Sequence, residues 1–143
     1  MKLPFLLGRL LFGGYFLYNG INHFREHESM EQYAGSKHVP KPGLAVKATG
    51  AALIVGGTSI LLGFKPKVGA LSLLGFLAGV SPTMHDFWNV EDPAERQQQM
   101  INFTKNMALA GAAVALVGVE EPWPASVAAP KRKWLKSAGR IAA

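Results

Sequence analysis

Residues 20–28 read GINHFREHE and contain the pattern H-x-x-E-H, with His23 and His27 four apart and Glu26 beside the second. On one continuous helix that spacing sets two imidazoles on one face next to a carboxylate, the ligand arrangement of one class of zinc peptidase. A zinc peptidase also needs a further ligand and a substrate cleft held by a large scaffold. The polar sequence around the motif is too short to build one, so the pattern reads as a coincidence of spacing, with no metal assigned. A second histidine next to an acid, His85-Asp86, falls in the stretch MHDFW. Neutral imidazoles near Asp86 or Glu26 can bind a metal, bond to a quinone carbonyl and pass a proton, or rest at a membrane interface. The elements that carry these residues decide among these roles.

Those elements must come from 143 residues, enough for one domain or a small membrane bundle. Nearly half of the residues are hydrophobic (49%) while the mean hydropathy is only +0.15, so the apolar residues are gathered into blocks. There is no cysteine. That excludes disulfides, thiolate metal sites, iron–sulfur ligation and thiol nucleophiles. The net charge of +6 would suit nucleic acid, but five basic residues fall in the last 13 positions beside Trp134 and Leu135. Such a cluster suits an anionic membrane surface, and no nucleic-acid partner is expected.

Four apolar segments approach the roughly 20 residues needed to cross a bilayer core of about 30 Å: 3–21, 44–64, 68–84 and 103–119. None alternates polar with apolar residues, which favours helices over barrel strands. The sequence therefore predicts an all-α polytopic membrane protein, a four-transmembrane-helix bundle. Lys2 before an apolar run resembles a signal peptide, but no small-residue cleavage site follows, and the segment is kept as a span. With four spans, one face holds nine Lys and Arg residues, among them Lys2, Arg9, Lys65 and Lys67, and the other holds six with seven of the nine acids. By the positive-inside rule both termini are expected to be cytoplasmic. The domain is expected to cover 1–119, followed by a Pro-containing basic tail, 120–143. Within that tail Lys131, Arg132, Lys133, Trp134 and Lys136 are expected to meet lipid or a partner protein.

In lipid, helices associate through close approach of small residues. Gly56-Gly57, the G-x-x-x-G of Gly75 and Gly79, and the stripe Ala108, Gly111, Ala112 and Ala115 are expected to be helix-packing positions. Arg9 costs about 2.5–3.5 kcal/mol at a span centre and is expected either to snorkel to lipid phosphates or to meet a ligand or neighbouring helix.

Four stretches in order, GRLLFGGYFLYNGINHF, GAALIVGGTSILLG, MHDFW and FTKNMALAGAAVAL, resemble the DoxX family over roughly residues 5–118. The resemblance implies a four-helix membrane protein associated with membrane redox systems; one relative is the small subunit of a thiosulfate:quinone oxidoreductase. Distant eukaryotic relatives act in trafficking or receptor assembly. It carries over to Arg9, Asn22, His23, Gly56, Gly57, His85, Phe87, Lys105 and Asn106. The expected function is thus a non-catalytic or co-catalytic subunit of a bacterial redox complex, docked on partner membrane subunits and on lipid. Arg9, Asn22, His23, His85, Asp86, Lys105 and Asn106 are the candidate contacts to a ligand or quinone headgroup. No intrinsic cofactor is expected, only a quinone or lipid in or beside the bundle. The alternative is a non-enzymatic assembly, trafficking or lipid-binding factor.

Overall fold

Three prolines and one glycine punctuate the chain where helices begin and end. In the computed structural model, which describes residues 3–127, the helices are α1 (Leu3–Arg25), α2 (His27–Ser36), α3 (Pro42–Leu62), α4 (Pro66–Met84) and α5 (Pro93–Val117). Proline opens α3, α4 and α5, where its fixed φ suits the first helical position and its missing N–H costs nothing. Gly63 ends α3 in the left-handed region at φ 65°, which leaves only Phe64 and Lys65 before α4. A tight antiparallel hairpin follows. Asp92 caps α5 by accepting the Glu95 amide at 2.8 Å.

Glycines set the closest helix contacts. A Cβ on Gly57 would lie 2.7 Å from the Leu17 nitrogen, and one on Gly13 would lie 3.0 Å from the Gly57 oxygen. Gly20 meets Gly50 and Ile54 in the same way, so α1 and α3 run antiparallel along a glycine seam. On the other side of α3, Gly56 receives Leu73 of α4. Phe12, Phe16, Leu53, Ile60, Leu73, Leu77 and Ala113 fill the centre. The order of packing is α1 on α3, α3 on α4 and α4 on α5.

Three helical stretches, Pro42–Leu62, Pro66–Asn89 and Pro93–Val117, are long and apolar enough to cross a membrane. Helix α1 has the length, 23 residues, but Arg9 and Asn19 dilute its apolar character and it is not among them. Large apolar side chains face outward, Leu11 at 75% exposure and Val55 at 68%. That surface suits lipid more than water.

The structure departs from the expected elements in three places. The polar stretch 93–102 is helical and continuous with the apolar part of α5, so the helix outruns the span read from hydropathy. The loop after α1 contains α2. Residues 120–127 pack on the bundle instead of leaving it: Trp123 is buried against Phe5, Val127 donates to the Leu62 carbonyl at 2.9 Å, and Glu121 accepts the Lys67 amide. The basic residues Lys131, Arg132, Lys133, Trp134 and Lys136 lie outside the described residues.

Candidate functional site

Between α1, α3, α4 and α5, toward the end of the bundle where α1 and α4 finish, lies a cavity of 180 Å³. Helix α1 contributes Tyr15, Phe16, Asn19 and His23; α3 contributes Leu53; α4 contributes Phe76, Leu77 and Val80. His85 follows α4, and α5 contributes Lys105, Asn106 and Leu109. Four of the residues expected to contact a ligand, His23, His85, Lys105 and Asn106, therefore meet around one space. Helix geometry explains the meeting: His23 sits near the end of α1 and His85 one residue past α4, and antiparallel α5 brings its middle to the same depth.

Asn106 is 7% exposed and makes no hydrogen bond to the protein among the described residues. Its amide is not among the enclosed side-chain atoms that lack a partner, so it opens onto the cavity that Asn106 lines. The His23 Nδ1 lies 2.8 Å from the Asn19 carbonyl oxygen, and its ring meets Phe76 edge-on at 6.2 Å. The His85 Nδ1 lies 2.8 Å from Gln99 Oε1; the Gln99 amide donates to the Tyr33 hydroxyl at 3.1 Å, and Tyr33 donates to the Met84 carbonyl at 2.9 Å. Lys105, the one charged lining residue, is exposed, with its Nζ 3.4 Å from Asn102 Oδ1.

The other candidates lie elsewhere. Asp86 forms an ion pair with Lys37 at 2.6 Å and accepts from Asn89, which ties the segment after α2 to the end of α4. The carboxylate holds the Lys37 ammonium above lysine's ordinary value. Asn22 is half-buried outside the cavity lining; its carbonyl accepts the Glu26 amide at 2.8 Å.

Arg9 is 14 residues before His23, about 21 Å away along α1. It is 3% exposed and donates to the carbonyls of Pro124 at 2.7 Å, Ala125 at 3.0 Å and Leu61 at 3.1 Å. Burial replaces the snorkelling considered from sequence. Its guanidinium closes the end of α3 and holds residues 124–125 onto the bundle, a role in folding and not in the cavity.

The H-x-x-E-H spacing straddles a helix break. Helix α1 ends at Arg25 and α2 starts at His27, with Glu26 between them at φ −107° and ψ 27°. No group of three or more His, Cys, Asp or Glu among the described residues is placed to hold a metal ion.

The small-residue positions divide. Gly56 and Gly57 are packed as expected, whereas a Cβ on Gly75, Gly79 or Gly111 would meet nothing within 4 Å. Ala108, Gly111, Ala112 and Ala115 face outward, and α5 buries Gln99, Asn106 and Ala113 instead. Those three residues recur every seven positions, one face of a helix. Gly75 and Gly79 line an apolar groove of 560 Å³ beneath α2, which shares His23, Phe76 and Val80 with the cavity. A shallow groove of 640 Å³ along α1 shares Tyr15 and Leu109.

Sequence reasoning missed Gln99, Tyr33 and Asn19. The seven-residue step from Gln99 to Asn106 was available as a signal. Tyr33 had none, because α2 falls in a stretch without an apolar face strong enough to announce a helix.

The DoxX family model matches residues 5–86, from α1 to just past the end of α4. The resemblance read over 5–118 is thus matched up to Asp86, and Lys105 and Asn106 lie beyond the match. No curated protein and no solved structure matches the chain.

Proposed function

The chain belongs to the DoxX family of small membrane proteins, and from that premise we propose a four-span accessory subunit of a bacterial inner-membrane redox complex. In this reading α1 is the fourth span, both termini are cytoplasmic, and the cavity holds the ring of a quinone-type ligand. The observation that carries the reading is Asn106, a largely buried residue whose amide makes no protein hydrogen bond among the described residues and opens onto a cavity also lined by two imidazoles and Lys105. A space of about 150 Å³ is enough for a benzene ring, so 180 Å³ accommodates one six-membered head between Tyr15, Phe16 and Phe76. An apolar tail would leave past Tyr15 and Leu109 into the groove along α1, on the lipid side. With no cysteine in the chain, iron–sulfur or disulfide electron carriers belong to a partner. The outward face of Ala108, Gly111, Ala112 and Ala115 suits close docking of a partner helix.

The test is purification of the tagged full chain from its own membranes in mild detergent, with mass spectrometry of co-purifying chains and of the organic extract. Stoichiometric redox subunits, together with a quinone in the extract, are expected. A chain that carries only phospholipid, or a varied set of client proteins, would instead support a lipid-binding or assembly factor, a reading to which the open groove under α2 gives some weight.

A further inference from the structure

Hydrogen-bond direction at the cavity is fixed from one end. The Met84 carbonyl can only accept, so the Tyr33 hydroxyl spends its proton there. The Tyr33 oxygen then accepts from the Gln99 amide nitrogen, which turns Gln99 Oε1 toward His85. An amide oxygen also only accepts, so His85 Nδ1 carries the hydrogen and Nε2 of the neutral ring carries the lone pair. His23 reaches the same tautomer by a shorter route, because its Nδ1 faces the Asn19 carbonyl. Among the described residues, neither Nε2 has a protein partner. Both imidazoles of the cavity are therefore held as hydrogen-bond acceptors.

We propose that the cavity selects an apolar-tailed ring bearing hydroxyl donors, a phenol or hydroquinone in preference to the oxidised quinone, and that Tyr33 is the positioning residue that sets this preference by fixing the His85 tautomer through Gln99. This rests on the ligand reading above and assigns the form of ligand that the site favours. A quinone ring offers carbonyl acceptors only, which Asn106 or Lys105 can meet, but neither imidazole Nε2 gains a partner from it. A hydroquinone gives one O–H to an imidazole and can accept from Asn106 or Lys105. No electron transfer is part of this inference.

The test uses the full chain in lipid nanodiscs at pH 8 under argon. Calorimetric titration compares a decyl-substituted hydroquinone, its dimethyl ether and the matching decyl benzoquinone, and nitrogen-15 spectra of histidine-labelled protein report the tautomers. The hydroquinone is expected to bind about tenfold more tightly than either analogue, since a site built to accept a hydroxyl rejects a ligand lacking it. His85 is expected in the Nδ1–H form. Tyr33→Phe should weaken the hydroquinone several-fold, leave the quinone unweakened and mix the His85 tautomers; a purely structural loss would weaken both alike. Equal or tighter quinone binding, or an Nε2–H signal for His85 in the unmodified protein, overturns the inference and leaves the ligand reading standing. Failure of all three probes to bind overturns both. The ligand series and spectra on the unmodified chain decide the matter even where Tyr33→Phe fails to fold.

Discussion

The two ends of this bundle place their buried polarity in different surroundings. At one end Arg9 brings a full charge into the helices, and three backbone carbonyls from two distant segments close around it. At the other end Asn106 brings only a neutral amide, and the protein supplies no partner for it. The three bonds fall on the terminal nitrogens of Arg9, where a charge left unmatched would be most costly, while Arg9 Nε and Trp123 Nε1 are buried without a partner among the described residues. The unsatisfied amide is what a ligand would exploit. What separates the two ends is where the open polarity lies: enclosed in packing at Arg9 and Trp123, and beside a cavity at Asn106.

The largest expected effect comes from breaking the satisfied end. Arg9→Leu removes three charge-assisted bonds and strands the carbonyls of Leu61, Pro124 and Ala125, at a cost of about 3 kcal/mol or more. Thermal unfolding in detergent should show a drop of several degrees, and limited proteolysis should find residues 120–127 released. Next in size is the glycine seam. Gly57→Ala sets a Cβ against backbone atoms of Leu17 and Gly13 and should cost about 1–3 kcal/mol. Gly75→Ala and Gly79→Ala, beside the open groove, meet nothing and should change stability by less than about 0.5 kcal/mol. A comparable loss at all three positions would erase the distinction between packed and open helix faces.

Asn106→Leu sharpens the contrast from the open end. It deletes no hydrogen bond made by the protein among the described residues, so stability should hold or rise by about 1 kcal/mol in the same unfolding assay. A fall like that of Arg9→Leu would show that Asn106 is structural too. The smallest effect belongs to the Lys37–Asp86 pair, exposed by 18% and 22% at its side chains. Lys37→Ala should cost about 0.2–1 kcal/mol, visible as faster hydrogen exchange in α2 with the core unaffected. The pairing raises the Lys37 value, so while Asp86 is ionised its contribution is complete below lysine's ordinary 10.5 and is lost on the alkaline side as pH climbs through the higher folded value. Exchange in α2 should therefore be insensitive to this pair between pH 6 and 9 once corrected for intrinsic rates.

Helices α1, α3 and α4 were legible because the apolar blocks 3–21, 44–64 and 68–84 coincide closely with them, whereas α5 begins ten residues before the block 103–119 and α2 carries no such block. The meeting of His23, His85, Lys105 and Asn106 was legible as well, since residues at matching depths on antiparallel helices face a common centre. Two features escaped. Small residues in a span permit close packing but do not say which side is packed, so the outward face of Ala108, Gly111, Ala112 and Ala115 required the structure. Arg9 stayed open between lipid phosphates and a ligand or neighbouring helix because its partners, Pro124 and Ala125, lie 115 and 116 residues away. No local pattern encodes that distance.

The most direct test of the contrast between the ends is native mass spectrometry of the protein released from its own lipids, comparing the unmodified chain with Asn106→Leu. A bound organic molecule with quinone or hydroquinone absorbance in the first, absent in the second while the fold is kept, is the predicted result. Equal occupancy in both, or none in either, would contradict the assignment of the open end as a ligand site.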